Sequence, residues 1–356
     1  MHGDDWAVPR CRVRVLVTVH AAGFERYNKP LGVPLDTSRL GQPVRVVEVD
    51  GSGKAVDDPV AFQPADDGLT LMLGGTTPAD GDRRFHVYAG GAETPQIPTL
   101  VRLEHDVEHE GQLSFRIATP AATYYYHKLG AGFASIEDAD GLDWVGYHPG
   151  GESAGEYRGI PNMVHPEGYF HPGGTDCTSW VAAAGPIKVS IRSESNDGGW
   201  ACTWDVYPHY ATLTVPRVAH PYWFLYEGTP GGELDECGDY VVRSPGRRTP
   251  ASEKWDGPVP DPEWVYFGAA GMSRVLYCVH HEADDLVDSY WPMRGQMTVF
   301  GFGRLGLDKF MERVPSRFTI GFAESGDLEH VAKVIDSAFR EVSVTVGEPE
   351  LPPSHM

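Results

Sequence analysis

Valines alternate with polar residues over Arg12–Val19 (RVRVLVTV), the period-two signature of a strand with one buried face. Val44–Val49 (VRVVEV) and Phe85–Tyr88 (FHVY) repeat the pattern between turns rich in Gly, Pro and Asp. Residues 1–95 therefore predict a small β region, with Phe24–Gly32 read as a loop and Thr94–Pro98 (TPQIP) as a linker. Residues 96–346 carry further short strands at Leu113–Ile117, Thr123–His127, Ile187–Ser193, Ala201–Val206, Thr212–Val215, Tyr222–Tyr226, Trp264–Phe267, Arg274–His280, Met297–Phe302 and Arg317–Phe322. One helix is predicted. Asp327 caps it, and Leu328, Val331, Ile335 and Phe339 fall at helical spacing through Arg340. The tail, 347–356, is expected to be disordered. Together these patterns predict an all-β protein: a large antiparallel β-sandwich or jelly-roll with a small N-terminal β region and one C-terminal helix.

Composition narrows the function. Of 356 residues, 42 are Gly and 29 Pro, yet 41% are hydrophobic, so the turns belong to a folded chain. Lys and Arg number 29 against 50 Asp and Glu, a net charge of −21, which argues against nucleic acid and anionic membrane as partners. No apolar run is long enough to span a membrane and no leader segment is visible. That predicts a cytoplasmic protein, or a secreted one without its leader. The five cysteines are scattered, with no C-x-x-C spacing, and are expected to be buried thiols. No dinucleotide, P-loop, zincin or serine-esterase motif is present, so the sequence calls for no cofactor, with a divalent cation left open.

Chemistry-bearing residues concentrate in 144–180 (WVGYHPGGESAGEYRGIPNMVHPEGYFHPGGTDCTSW), a long glycine-rich stretch of the kind that works on a rigid β scaffold. His165, Glu167, Tyr169 and His171 sit at even offsets, so an extended chain would turn all four to one side. Arg158 offers a fork for a carboxylate or for sugar hydroxyls. His148, Tyr157, Asn162 and Trp180 add candidate substrate contacts. A second candidate is Glu227, at the end of the apolar run YWFLYE, where burial would raise its pKa. A third is WDVYPHY, in which Asp205 and His209 share the polar face of a strand. The fourth, HHEADDLVDSYW from His280 to Trp291, could hold a divalent cation but reads first as a solvated acidic turn.

Thr123–Tyr147 (TYYYHKLGAGFASIEDADGLDWVGY) resembles the opening of a galactose-mutarotase-like β-sandwich, the fold shared by aldose epimerases, many polysaccharide lyases and several glycoside hydrolases. An aromatic strand, the turn Gly130-Ala131-Gly132, Phe133, Ser135, Asp138, Asp140-Gly141 and Asp143-Trp144 carry the resemblance. It implies a sandwich and a carbohydrate substrate, and it assigns no catalytic residue. Nine Trp and sixteen Tyr fit that substrate class, because sugar C–H faces stack on aromatic rings. The leading expectation is a glycoside hydrolase acting on an oligo- or polysaccharide. Glu167 and Glu227 would be its paired carboxylates, with Asp205 in reserve. The alternative is a polysaccharide lyase with Tyr169, His165 or His171 as base and Arg158 as carboxylate partner. A non-catalytic sugar-binding module is the third reading. Whether the chain forms a homo-oligomer is left open.

Overall fold

The computed structural model describes residues 6–91 and 93–353. They form two compact units. The first comprises the described residues up to Leu100, Gly185–Ile187 and the chain from Asp336 onward; the second comprises Val101–Ala184 and Lys188–Ile335.

In the first unit, Val13–His20 lies between Ser343–Val346 and Asp82–Ala89 in a five-stranded antiparallel sheet completed by Val44–Val49 and Ala55–Asp57. A three-stranded sheet of Arg26–Val33, Gly68–Thr77 and Phe62–Ala65 shares its core. The alternation read from the sequence is real: Val15, Val17 and Val19 are all buried.

Two expectations for this unit change. The expected division at 95 and 346 gives way to one in which the chain from Asp336 rejoins the N-terminal unit, because Val346 pairs opposite Val17. Of the tail expected to be disordered, residues 347–350 continue along that sheet, and 354–356 lie outside the described residues. Gly347 donates to the Leu16 carbonyl, and Arg14 meets the Glu350 carboxylate at 2.7 Å.

The expected loop at Phe24–Gly32 is instead mostly the strand Arg26–Val33. Its polar composition hides it, because two cations are buried there. Arg26 donates to the carbonyls of Ala21, Arg340 and Glu341, and the Lys29 ammonium donates to that of Ala338 at 2.6 Å. Those last carbonyls close the helix Leu328–Phe339, whose final turn has no intrahelical donors of its own. Burial lowers the Lys29 pKa to about 7. The other end of the helix matches the sequence reading, with Asp327 Oδ1 accepting from the His330 N–H at 2.9 Å.

The second unit is the large sandwich. One layer is a nine-stranded antiparallel sheet in the order Cys177–Ala184, Val189–Ser195, Ala201–Val206, Tyr210–Arg217, Ser316–Ala323, Val275–His280, Trp264–Gly268, Tyr240–Arg243 and Arg247–Pro250. The other layer has two four-stranded parts. Gly132–Asp138, Ala122–His127, Gln112–Ala118 and Arg102–His109 make one; Phe224–Gly228, Thr298–Phe302, Asp288–Trp291 and Trp255–Gly257 make the other. Aromatic rings lock the layers face to face. Phe133 meets Trp204 at 4.8 Å, Phe224 stacks on Phe318 at 4.6 Å, and Tyr226 meets Phe267 at 4.9 Å.

Every run predicted as a strand in this region overlaps one. Among those missed, Arg102–His109 and Arg247–Pro250 are charged outer strands with little apolar alternation. Four cysteines are buried thiols as expected, but Cys237 is exposed. No helix among the described residues is long and apolar enough to cross a membrane.

Replacing Arg26 with Met should destabilise the protein by about 2–4 kcal/mol, because buried carbonyls lose a charged donor. Chemical denaturation followed by circular dichroism measures this. A loss below about 0.5 kcal/mol would show that water replaces the guanidinium.

Candidate functional site

The strand Phe224–Gly228 and the residues just before it alternate sharply. Tyr222, Phe224 and Tyr226 belong to the core between the layers, so Trp223, Leu225 and Glu227 point to the outer face. The glycine-rich stretch singled out in the sequence lies edge to edge with this strand. Residues 159–163 run antiparallel to the strand: Gly159 exchanges backbone bonds with Glu227 at 2.8 and 3.1 Å, Leu225 donates to Pro161 and Trp223 to Met163. On its other side the same stretch pairs Ile160 with Phe133, joining the two four-stranded parts. Ile160 enters the core, and strict alternation would send Asn162 after it. Asn162 instead adopts a left-handed backbone (φ 43°), and its amide turns to Glu227. A side chain on Gly159 would come within 2.4 Å of Pro172 and 2.9 Å of Asn162 Oδ1, so this close approach needs glycine.

Glu227 is 5% exposed. Among the described residues its carboxyl has one hydrogen-bond partner, the Asn162 Nδ2 amide, which donates to Oε2. The same Nδ2 donates to the Tyr157 carbonyl at 3.0 Å, which fixes the amide orientation and leaves Oδ1 buried without a partner. Burial raises the Glu227 pKa to about 7, against the smaller opposing effects of Asn162 and the Arg304 charge. The carboxyl is therefore poised to hold or release a proton near neutrality.

Sequence reasoning missed Arg304, Lys309 and Trp223. Arg304 lies across the bare backbone of Gly301, where a Cβ would come within 2.8 Å of its Cδ, and reaches Ser289 Oγ at 3.0 Å. It is 7% exposed, and its Nε has no partner. Lys309, beside it on a two-stranded hairpin, sits 4.5 Å from the Trp223 ring centre. Trp223 in turn donates to the Asn162 carbonyl at 2.6 Å. An arginine flanked by glycines in GFGRLG was the available signal, but only the pairing of strands brings it to Glu227.

His165 and His171 meet here as expected, with ring centres 5.6 Å apart, and Tyr157 lies 5.1 Å from His165. The expected route to that meeting differs. The loop is not extended: Glu167 N–H bonds back to Val164 and Gly174 N–H to His171, so the chain curls. The curl sends the intervening side chains elsewhere. Glu167 is half exposed and pairs with His220 at 3.1 Å; Tyr169 points to Asp197 at 3.4 Å. Burial, then the charges of His171, Lys309 and Arg304, lower the His165 pKa to about 4. Burial likewise lowers that of His171, whose Nδ1–H donates to the Pro172 carbonyl while Nε2 has no partner within hydrogen-bond geometry. Both imidazoles are neutral at pH 7.

Arg158 borders the cluster but grips the backbone, donating to Gly146 at 3.3 Å and Gln296 at 3.0 Å. The remaining candidates lie apart. His148 is exposed and faces Glu110 at 3.2 Å. Asp205 takes the Ser190 hydroxyl and faces Lys188 at 3.7 Å. Asp205 and Trp180 are on the nine-stranded sheet, and His209 lies in the turn joining two of its neighbouring strands; burial lowers the His209 pKa. The acidic segment brings Glu263, His280 and Asp284 within 4.8 Å of one another. His280 already uses both ring nitrogens, on Glu263 at 2.5 Å and Ser316 at 3.2 Å, so a cation would have to displace one of them.

No protein-family model and no curated protein matches the chain. Among solved structures, that of HI1317 is 13% identical over 63% of this chain and 99% of its own, with a TM-score of 0.44. A glycosyl hydrolase family 38 protein from Enterococcus faecalis is 10% identical over 94% of this chain, also with a TM-score of 0.44. This chain corresponds to 47% of that protein's length. Likenesses this slight carry no argument, and the chemistry rests on the residues themselves.

Glu227 sets a pH dependence of stability. Folded, it keeps its proton up to about 7; unfolded, it loses it near 4.5. Between those values the folded state binds more protons, so the wild type loses up to roughly 3 kcal/mol as pH rises from 4 to 8. Glu227→Gln has no such group. Its stability relative to wild type should climb by roughly 2–3 kcal/mol over that range in parallel denaturation curves. A flat difference would mean the carboxyl is not held near neutrality.

Proposed function

We propose that this chain is a carbohydrate-active enzyme that cleaves a uronate-containing glycan by β-elimination at the Glu227–Asn162–Arg304 cluster. One observation carries the reading: a near-neutral carboxyl, an amide and a buried guanidinium converge beside two neutral imidazoles. Protonated Glu227 and Arg304 can both donate to a substrate carboxylate, where charge builds as an enolate forms. His165 is the base. It takes the proton from the carbon next to the carboxylate; that electron pair forms the ring C=C bond, and the glycosidic C–O bond at the β carbon breaks with its electrons leaving on oxygen. The Tyr157 hydroxyl protonates that oxygen, and solvent restores the tyrosine. A bound carboxylate raises the basicity of His165 toward neutrality.

The paired-carboxylate hydrolase expected first finds less support. It needs a second carboxyl facing Glu227 across the scissile bond, whereas Glu167 is half exposed and tied to His220.

The two chemistries separate cleanly. His165→Ala should lower turnover by about 10²–10⁴. Glu227→Gln, which still donates a hydrogen bond, should stay within about ten-fold of wild type and lose the alkaline fall in kcat/KM near pH 7. The readout is the ultraviolet absorbance of the unsaturated uronate, on a panel of uronate and neutral glycans. New reducing ends without that absorbance, together with an inactive Glu227→Gln, would replace elimination by hydrolysis.

A further inference from the structure

The outer face continues past Glu227. Glu227 and Trp291 both lie opposite Val299, one on each neighbouring strand. Residues opposite one another in a sheet share a face, so the two side chains stand two strand spacings apart, about 10 Å. Ser289 follows the same face and takes Arg304, which spans the gap from the Glu227 strand. Beyond Arg304 lies a cavity lined by Lys254, Tyr290, Trp291, Arg304, Leu305 and Leu307. Its apolar walls are open: Leu305 is 41% and Leu307 68% exposed. Its two cations, Lys254 and Arg304, form no ion pair with a carboxylate among the described residues, although acidic residues outnumber basic ones in the chain 50 to 29. The Arg304 Nε is buried and unpartnered.

We infer that this cavity is a second sugar subsite, holding the residue of an acidic glycan next to the one at Glu227. The subsite rests on the uronate reading of the Glu227 cluster. Trp291 and the two leucines take the C–H face of the ring, as an aromatic platform does. Lys254 meets the ring's carboxylate at the rim. Arg304 serves both positions, because its charge acts on Glu227 and its side chain lines the cavity. Two linked pyranose rings reach across the spacing between Glu227 and Trp291.

Calorimetric titration tests this with galacturonic acid and its linear dimer and trimer. The protein is His165→Ala, so that no turnover intrudes, alone and combined with Trp291→Ala or Lys254→Ala. The dimer should bind roughly ten-fold tighter than the monomer, the size of one stacking contact plus one exposed ion pair. Either added substitution should erase most of that gain and leave monomer binding unchanged. Maltose against glucose should show no gain. Equal binding of monomer and dimer, or a gain that survives both substitutions, overturns the subsite. A gain of equal size with maltose, or glucose 6-phosphate binding as tightly as the uronate dimer, overturns its assignment to a carboxylate sugar. If the gain appears as expected but wild type yields no unsaturated product, the subsite stands and the elimination chemistry falls.

Discussion

Everything at the candidate site depends on one backbone pairing: residues 159–163 laid antiparallel along the strand of Glu227. That pairing closes the second layer of the sandwich, since Ile160 bonds to Phe133 on the far side. It also excludes water from the Glu227 carboxyl and supplies Asn162 in water's place. A free loop could do neither. Its backbone groups would seek solvent, and a carboxyl beneath it would ionise near its usual pKa. The kink at Asn162 is where the stretch departs from a plain strand, and that departure faces the chemistry.

The electrostatics of the site follow from burial. Glu227 is pushed up to about 7 and His165 down to about 4, so at pH 7 the acid is divided between its two forms and the imidazole is neutral. Burial also lowers the pKa of Arg304, yet a guanidinium keeps its charge at any ordinary pH. Net charge at the centre is therefore positive in a chain whose total is −21. Such a pocket favours an anionic ligand even though the molecule as a whole repels one at long range, because a desolvated charge at contact outweighs screened charges a Debye length away.

The first unit uses buried cations differently. Arg26 and Lys29 spend their donors on backbone carbonyls around the end of the helix Leu328–Phe339 and present no open chemistry. Arg304 keeps an unpartnered Nε and lines a cavity. The contrast separates a structural cation from a candidate binding one by what its donors reach, a distinction that residue type cannot make.

By itself the sequence determined the all-β sandwich, about half of its strands, the single C-terminal helix with its Asp327 cap, and the two stretches on which the candidate site is built. Those features rest on local patterns: alternation, capping and turn residues act within a few positions of one another. Tertiary structure alone decided which side chains share the site. His165 and His171 are brought together by a curl, whereas an extended chain would have kept Glu167 and Tyr169 with them. Arg304 lies across Gly301, near enough for its charge to act on Glu227, from a hairpin whose position depends on the strands that precede it. The strand Arg26–Val33 escaped the sequence reading for the same reason, since its cations are satisfied by carbonyls more than three hundred residues away. Long-range pairing sets such contacts, and no periodicity within one segment encodes them.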